Sequence, residues 1–457
     1  MSPLKDIRFA NTNLVFKDGV PFVFIGGQQG YPEGLTNPNK LNFAPRFGIS
    51  HNVPSHGIVV HAAFGIFFTP VDMNTWCNQR HNVPYVFPET QQSDNFTPAT
   101  GIVASHFNFA APVLGTTTVS FAAVELNPSP QYIEQWSTSV EKSLGKETTL
   151  ELGYLGSHGL HLQRSRLINN ALPGPGAIGP RRPFKVLSFL PGMILPSNIT
   201  VANTTFPVSG INLLENSAQS WYEAGYVNIR RRFARGWTFL ANYTFAKNLS
   251  DAPDFRSPMF ESAAPQNNSR LAAEKGPACD VRHRFSLSTV YNIPTLGKSG
   301  FLHAITKDWR ISAIFQAQSG FPFTISVFGD TANAGTLLGE NPIRANYTGQ
   351  AIFGSGTHTA TQWFNPAAFA TPPAFTFGNV GRNSLYGPGR QTLDLALQRE
   401  FSVTEKIKFQ IRAEAFNALN HTNLGTPNRF VNTPQFGTIT EAATPAREIQ
   451  FSARLSF

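Results

Sequence analysis

The chain has 457 residues, enough for one large barrel or for two to four ordinary domains. Only 14% of the residues are charged, 12% are aromatic, and the mean hydropathy is slightly negative. A chain that is poor in charge, rich in Phe and yet not hydrophobic on average argues against an ordinary soluble domain. It favours strands that alternate lipid-facing and polar residues.

The net charge of +9 is spread along the chain rather than concentrated in one basic patch. Beyond Arg181-Arg182 and Arg230-Arg231-Arg232 the basic residues do not cluster, and no recognition motif accompanies them. We therefore do not expect nucleic acid as a partner. No run of about 18 apolar residues is present, so the sequence predicts no transmembrane helix. The stretch Met1–Phe16 lacks a charged segment followed by an apolar one, so we expect no signal peptide here.

Period-2 alternation of apolar and polar residues predicts antiparallel strands joined in hairpins, roughly 11 to 12 strands in all. The last strand is the clearest, and the stretch Ile7–Gly26 is uncertain. The predicted hairpins, in chain order, are Phe43–Ser50 with Gly57–Phe68, Gln135–Leu144 with Thr148–Gly156, Trp221–Phe233 with Trp237–Lys247, Arg284–Ile293 with Trp309–Gln318, and Gln391–Phe401 with Lys406–Asn417. The apolar face of the last strand consists of Ile449, Phe451, Ala453, Leu455 and Phe457.

Short turns inside the hairpins alternate with long segments rich in Gly, Pro, Asn and Ser between them. The long segments are Thr69–Tyr132, Ser157–Ser220, Asn248–Arg282, Ser319–Arg390 and Ala418–Arg447. Short periplasmic turns and long outer loops are typical of outer-membrane barrels. Unpaired backbone groups are not tolerated in hydrocarbon, so strands that cross a bilayer must close. We predict an all-β fold, an antiparallel transmembrane β-barrel over residues 42–457, preceded by an uncertain strand or loop over residues 1–41.

Two groups of side chains are candidates for specific roles in such a barrel. Aromatic residues near strand ends are expected to form interfacial girdles, with burial in a core as the alternative. These girdle candidates are Trp136, Trp221, Tyr222, Trp237, Tyr291 and Trp309. Arg412 and Glu414 share a face and are expected to point into the lumen, where Arg454 or Glu448 could pair with them. Asp280 is expected to pair with Arg282 or Arg284 in the same way.

Residue patterns that carry catalysis were not found. The chain contains no GxSxG, HExxH, GxxxxGK[ST] or EF-hand pattern. His158 and His161 are close enough in sequence to touch a metal, but no further ligand is near, so we interpret them as loop residues. Cys77 and Cys279 lie in different loops and are either a disulfide or two free thiols. We predict no enzymatic activity, no cofactor and no metal.

Several segments, in their order and spacing, resemble one family. They are Asn42–Gly48, Gly65–Phe68, Gln135–Val140, Gly153–Ser157, Ala241–Lys247, Asp280–Phe285, Gln318–Phe323, Trp363–Phe369 and Arg412–His421. Over residues 42–457 the chain is similar to the barrel of Oar-like TonB-dependent receptors. The resemblance implies the C-terminal part of an outer-membrane barrel, usually of 22 strands, in contact with membrane lipid and lipopolysaccharide. Its last strand, ending in Phe457, resembles the signal that the barrel-assembly machinery reads.

Family members also carry an N-terminal plug, a TonB box and often a regulatory-like domain. We expect all three to be absent from this sequence, so contact with the TonB complex is expected only if a further N-terminal region exists. Three functions remain open: the barrel of a receptor that binds an unknown substrate at its outer loops and passes it through the lumen, a passive porin-like or structural outer-membrane protein, and a secreted β-rich binding protein. The sequence does not identify the substrate, because loops carry specificity.

Overall fold

The structure is a computed structural model that describes residues 12–70, 82–85, 113–115, 118–197, 200–251, 279–335 and 343–457. The described residues are almost entirely strand and loop. The strands are β1 Thr12–Lys17, β2 Val20–Ile25, β3 Arg46–Val53, β4 Ile58–Phe68, β5 Val113–Leu114, β6 Val119–Val124, β7 Tyr132–Leu144, β8 Thr148–Leu167, β9 Val186–Phe189, β10 Thr200–Val201, β11 Thr205–Ala234, β12 Trp237–Ser250, β13 His283–Asn292, β14 Trp309–Gln318, β15 Pro322–Phe323, β16 Ser326–Val327, β17 Ile343–Arg344, β18 Asn346–Tyr347, β19 Phe369–Ala370, β20 Leu385–Tyr386, β21 Arg390–Ser402, β22 Lys408–Phe416 and β23 Glu448–Ser456. One short helix, α1, covers Phe301–Thr306, and 3-10 turns cover Pro54–His56, Gly179–Arg181 and Pro366–Ala368.

Eleven strands form one continuous antiparallel sheet, and they are the strands of the predicted hairpins plus the last strand. The order across the sheet is β3-β4-β7-β8-β11-β12-β13-β14-β21-β22-β23. Every hairpin predicted from alternation is confirmed as a pair of neighbouring strands. Within the described residues, no helix is long and apolar enough to cross a membrane.

The strand register gives this sheet one apolar and one polar face, because successive side chains of a strand point to opposite sides. One ladder of paired residues on the apolar face runs Ile229, Ala241, Leu287, Phe315 and Leu393. The adjacent ladder on the polar face runs Asn228, Asn242, Ser286, Gln316 and Thr392. The same division continues to both edges of the sheet, so the alternation in the sequence produces a two-faced wall.

Tight turns lie at one end of the sheet, which we call the turn end, and long connections lie at the opposite loop end. Between β11 and β12 the chain turns at Arg235 and Gly236, both with positive φ, of 52° and 80°. Two left-handed residues in succession match the twist of paired strands and allow a two-residue hairpin turn. Between β13 and β14 the connection is longer and contains α1.

The prediction that Ser157–Ser220 forms a loop is wrong at both of its ends. β8 continues to Leu167, and β11, which is 30 residues long, already begins at Thr205. The two strands remain paired beyond the length that a bilayer requires, with register shifts around Ala218. The outer parts of these strands face protein rather than lipid, so they do not carry the apolar alternation that marks a membrane strand.

A first loop cluster covers the loop end of β8 and β11. It contains the hairpin β1–β2 together with β6 and β9, and β6 runs parallel to β11. Its core includes Leu14, Val23, Phe121, Leu187 and Phe206, all at most 3% exposed. The uncertain stretch Ile7–Gly26 is therefore a hairpin from Thr12 onward, within this cluster and outside the main path of the sheet; residues 7–11 lie outside the described part.

A second loop cluster forms from residues 319–335, 343–389 and 424–443. Short strand pairs, β15 with β20, β16 with β17 and β18 with β19, fold the first two of these segments together. The side chains of Phe323, Ile325, Val327 and Phe364 are fully buried in its core. The long loops thus have hydrophobic cores of their own, a property that their Gly- and Pro-rich sequences did not reveal.

The sheet has two open edges in the described part of the chain, formed by β3 and β23. All neighbours are antiparallel and the path has eleven strands, so the two edge strands run in the same direction. A direct β3–β23 seam would therefore be parallel. The expected total of 22 strands is not tested by this structure and stays a prediction.

Candidate functional site: polar face, clefts and mouth

The charged residues predicted for the lumen lie on the polar face of β22 and β23. Arg412 Nη2 donates to Glu414 Oε1 at 2.6 Å, and Arg412 Nη1 approaches Gln398 Oε1 at 3.5 Å on β21. The expected pairing with Arg454 or Glu448 is wrong. The register places Ser452 opposite Arg412, while Arg454 and Glu448 lie opposite other residues on the exposed last strand. Arg412 and Glu414 are two residues apart, so they share a face and neutralise each other along one strand.

A second polar cluster lies on the same face where β8 meets β11. Tyr226 OH donates to Glu151 Oε1 at 2.8 Å, and Asn228 Nδ2 donates to Glu151 Oε2 at 3.3 Å. The Tyr226 ring occupies the space beside Gly153, where any Cβ would overlap it. The carboxylate of Glu151 is thus held by neutral donors, while Glu141 stands directly opposite it on β7. This cluster was not predicted from the sequence, although the alternation of β8 places Glu151 among the polar-face residues.

A cleft of about 550 Å³ opens towards the loop end beside the edge strand β3. Arg46, Phe67, Gln135 and Tyr222 are among its lining residues, and the Arg46 guanidinium lies 4.5 Å from the centre of the Phe67 ring. These four residues all belong to the polar face. The cleft therefore offers a cation, an amide and a phenol on the polar face of the sheet.

The position of Tyr222 overturns its prediction as a girdle residue. It directly follows Trp221, and neighbouring residues in a strand point to opposite faces, so both cannot face lipid. Trp221 lies on the apolar face opposite Leu249, whereas Tyr222 lies opposite Asn248 and Ser157 on the polar face. Tyr222 is thus a residue of the cleft.

The five other girdle candidates all lie on the apolar face, in two groups. Trp237 pairs with Tyr291 at the turn end, and Trp309 lies two residues before Ile311, the partner of Tyr291 on β14. Trp237 Nε1 donates to Thr289 Oγ1 at 2.9 Å, and Trp309 Nε1 donates to the Ile305 carbonyl at 2.7 Å. Trp136 and Trp221 are nearer the loop end. The stretch Trp221–Ala234 spans about 43 Å along the strand, which covers about 30 Å of membrane normal at a tilt of about 45°.

An ion-pair network holds the extended parts of β8 and β11 together at the loop end. Glu215 is 8% exposed and accepts from Arg164 Nη2 at 3.0 Å and Arg166 Nη2 at 2.8 Å. Arg164 also lies 3.6 Å from Asp251, at the end of β12. The spacing Arg164-Ser-Arg166 signals one face of a strand and could have predicted this continuation of β8.

The second loop cluster is attached to the sheet through Asp280. Tyr386 OH donates to Asp280 Oδ2 at 2.7 Å, and the Asn248 backbone N–H donates to Oδ1 at 3.0 Å. The predicted pair with Arg282 is present, with Arg282 Nε 4.0 Å from Asp280. Burial, with a further contribution from Asp280, raises the pKa of the Tyr386 hydroxyl above its ordinary value.

The remaining candidates for chemistry occupy ordinary structural positions. His158 stacks on Trp221 with ring centres 3.6 Å apart, and its Nδ1 lies 3.7 Å from Glu134. In the described ranges, no group of three His, Cys, Asp or Glu residues is placed to hold a metal ion. Cys279 is exposed, and Cys77 lies outside the described residues, so the predicted alternatives of disulfide and thiols stay open.

Solved structures similar to this chain include outer-membrane transporters and receptors. They include the outer membrane transporter YddB from Escherichia coli (10% identity, TM-score 0.49, 96% of this chain and 42% of that one). They also include the ferric-catecholate import receptor Fiu from E. coli K12 (9%, 0.38, 90% and 34%) and the pyoverdine receptor FpvA from Pseudomonas aeruginosa (12%, 0.39, 91% and 36%). This chain spans less than half the length of each. No curated protein sequence matches it.

The family model described as outer membrane beta barrel domain matches residues 2–450, nearly the whole chain. That match agrees with the two-faced antiparallel sheet, the aromatic apolar face and the division into a turn end and a loop end. The chain belongs to the outer membrane beta barrel domain family, and the protein is a component of the outer membrane.

Proposed function

We propose that this chain is the barrel portion of an outer-membrane receptor and transporter of the Oar-like TonB-dependent type. The loop clusters bind the substrate at the outer surface, and the polar face lines its route across the membrane. In this proposal the protein breaks and forms no covalent bonds. The TonB complex is a partner only if the protein has a further N-terminal region.

The observation that carries the proposal is the combination of a hydrogen-bonded polar face with ordered loop clusters at the loop end. Glu151 is hydrogen-bonded by Tyr226, and Arg412 is paired with Glu414, so a solute meets a polar wall whose charged groups already have partners. Above this wall, the cleft around Tyr222 and the two loop clusters supply a preformed surface. Loops on a rigid scaffold are where binding specificity usually resides.

The apolar face is proposed to contact lipid, with two aromatic girdles at its boundaries. Trp237, Tyr291 and Trp309 form the girdle at the turn end, and Trp136 and Trp221 belong to the girdle at the loop end. Amphipathic rings favour the membrane interface because one side is apolar and the other carries a hydrogen-bond donor. Outer-membrane phospholipid and lipopolysaccharide are the partners of this face.

The last strand is proposed to dock on the barrel-assembly machinery during insertion. Its apolar side chains are unusually exposed, with Phe451 79% and Phe457 97% accessible, and its outer edge has no strand partner in the described residues. An open edge is a template for strand addition. Deletion of Phe457 should reduce the amount of assembled protein in isolated outer membranes, whereas Ser456→Ala should not. Equal amounts of the two would argue against this role.

Transport is tested by comparing cells that carry the gene with cells that lack it. The probes are a panel of radiolabelled ferric siderophores, oligosaccharides and short peptides, each with and without a protonophore. The proposal predicts that uptake of one class depends on the gene and is abolished by the protonophore. Gene-dependent uptake that resists the protonophore would instead assign a passive, porin-like channel. A gene-dependent protein recovered in the culture medium, with no uptake, would assign a secreted binding protein.

A further inference from the structure

The polar-face cleft beside β3 is built on two neighbouring ladders of paired residues. The ladder towards the turn end contributes the short side chains of Ala63 and Ser137 to the lining. The ladder towards the loop end crosses five strands, and its members are, in order, Arg46, Gly65, Gln135, Ser157 and Tyr222. Because short side chains lie beside long ones, a cleft of about 550 Å³ opens over the polar face.

At the β3 end of this cleft, the Arg46 guanidinium lies over the Phe67 ring, 4.5 Å from its centre. Gly65 permits this arrangement, because a Cβ there would lie 2.9 Å from Phe67 Cε2 and 3.3 Å from Arg46 Cγ. No described residue forms an ion pair or a hydrogen bond with the Arg46 side chain. A stacked guanidinium still presents a planar fork of N–H groups, so Arg46 is positioned to bind a ligand.

The other polar side chains of the same ladder also lack partners. Those of Gln135, Ser157 and Tyr222 make no hydrogen bond to any residue that the structure describes. The ladder continues to Asn248, and its Oδ1 is buried without a hydrogen-bond partner in the described ranges. Amides and hydroxyls can both donate and accept, and buried polar groups are normally satisfied. The ladder is therefore a row of hydrogen-bonding groups that a ligand could complete.

The charge of the cleft favours an anionic ligand. Arg46 is the one cation among the described residues that line it, and none of them is an acid. Asp280 is 2% exposed and already accepts from Tyr386 OH and from the backbone N–H of Asn248. A guanidinium binds a carboxylate through two parallel hydrogen bonds, which are stronger than those between neutral groups. The lining therefore complements a ligand with one carboxylate beside several neutral polar groups.

We propose that this cleft binds the transported substrate, and that the substrate is a short oligosaccharide that carries a carboxylate. Arg46 binds the carboxylate, and Gln135, Ser157 and Tyr222 bind hydroxyl groups. Sugar hydroxyls both donate and accept, as these side chains do, whereas a peptide backbone N–H only donates and its C=O only accepts. The cleft volume is within the range of about 300–1,000 Å³ that is usual for small-ligand pockets. This inference rests on the proposed transport function and names its substrate class.

The test measures binding by isothermal titration calorimetry, with the protein purified from outer membranes in detergent. The probes are trigalacturonate and the same trisaccharide after reduction of its carboxylates to alcohols. Trigalacturonate should bind at least about tenfold more tightly, as expected for one charge-assisted pair. Equal affinities, or no binding of trigalacturonate, would overturn the proposal. Triglutamate is a third probe, and binding as tight as that of trigalacturonate would show that the sugar assignment is wrong.

Variants locate the binding site. Arg46→Gln should remove the preference for trigalacturonate over the reduced trisaccharide. Arg284→Gln is the matched control, because it makes the same change on the polar face of β13, outside the cleft, and it should keep the preference. Tyr222→Phe should weaken the binding of both sugars several-fold and keep the preference. Far-UV circular dichroism establishes that each variant is folded. A preference that survives Arg46→Gln contradicts the site.

Failure of this inference can be distinguished from failure of the proposed function. Gene-dependent, protonophore-sensitive uptake of ferric siderophores, together with no binding of trigalacturonate, would overturn the substrate class and leave the transport function intact. Binding of trigalacturonate that depends on Arg46, without gene-dependent uptake of any probe, would support the site and contradict transport.

Discussion

Close contacts between glycines and aromatic rings decide local packing on both faces of the sheet. On the apolar face the Trp136 ring covers Gly156 of the neighbouring strand, and on the polar face the Tyr226 ring covers Gly153. A Cβ at either glycine would overlap the ring. Glycine weakens a strand on its own, so its presence inside β8 is explained by the ring that lies over it.

We predict that Gly156→Val displaces the Trp136 ring and destabilises the sheet by roughly 1–3 kcal/mol, the usual cost of overpacking. The control is Gly225→Val on the adjacent strand, where a Cβ has nothing within 4 Å. The measurement is urea unfolding in detergent micelles, followed by tryptophan fluorescence. Equal midpoints for the two variants would show that the contact does not restrain Trp136.

A second prediction concerns Tyr386, whose raised pKa makes the stability of the second loop cluster depend on pH. The neutral hydroxyl donates to Asp280, and burial raises its pKa above the ordinary value of 10.0. The folded pKa is higher than the unfolded one, so the stabilisation is fully present below about pH 10 and is lost as pH rises through the folded pKa.

Alkaline titration with tryptophan emission as the signal measures this effect, because Trp363 Nε1 donates to the Tyr386 carbonyl at 2.9 Å. Tyr386→Phe should remove the part of the alkaline transition that belongs to this cluster. Tyr347→Phe, which alters an exposed hydroxyl bonded to the Gln350 carbonyl, should leave it unchanged. Identical titrations of Tyr386→Phe and the unmodified protein would contradict the link.

At the scale of elements, the two loop clusters are joined by hydrogen bonds between residues 171–176 and residues 333–334. The Ala171 backbone N–H donates to the Ala334 carbonyl at 3.0 Å. Asn333, with a φ of 52°, donates through Nδ2 to the carbonyls of Gly174 and Gly176, both at 2.9 Å. Asp330 caps the turn by accepting from the backbone N–H of Ala334 at 3.0 Å. The loops that follow β8 and β14 therefore form one continuous structure over the loop end.

We predict that Asn333→Ala releases this contact, since it removes both side-chain hydrogen bonds and places alanine in a left-handed conformation. Limited proteolysis in detergent should then cleave residues 168–182 several-fold faster. Asn420→Ala is the control, because Asn420 also has a positive φ, of 50°, but lies in the connection after β22. Cleavage of residues 168–182 at the same rate in both variants would show that the hydrogen bonds of Asn333 do not order this segment.

The membrane strands could be predicted from the sequence, but the loop clusters could not. Alternation identified β12, β13, β21, β22 and β23 within a few residues, because a two-sided environment selects residue types with period 2. The extensions of β8 and β11 carry no such signal, since one side of them packs against the first loop cluster. The cores of the loop clusters depend on contacts between segments far apart in sequence, such as β1 with Val83 and β6, which periodicity does not report.

The candidate site was predicted only in part, for a related reason. Period 2 placed Arg412 and Glu414 on the polar face, but the choice of partner depended on strand register, which placed Ser452 opposite Arg412. Because neighbouring residues of a strand point to opposite faces, Tyr222 lies in the polar-face cleft and not in the girdle beside Trp221. Glu151 and Glu215 gained their partners from a neighbouring strand, and Asp280 gained Tyr386 from a segment far away in sequence, so local spacing did not identify these partners.

For the whole molecule, the direction of the edge strands restricts how the sheet can close. β3 and β23 run in the same direction, so an all-antiparallel ring needs an odd number of further strands between them. A second copy inserted in the same orientation supplies eleven strands but meets the first copy through parallel seams at both edges. A ring closed by an odd number of further antiparallel strands therefore has no parallel seam, whereas a ring of two such copies has two.

The central claim is that one face of this sheet contacts lipid and the other contacts water. Single cysteines along β12, with Cys77 and Cys279 replaced by Ser, test it in isolated outer membranes by labelling with a membrane-impermeant maleimide. We predict that positions 240, 242 and 244 react in intact membranes, and that positions 239, 241 and 243 react only after the membranes are dissolved in denaturing detergent. Equal labelling of both sets in intact membranes would contradict the claim, because a strand exposed to water on both faces is not part of a membrane wall.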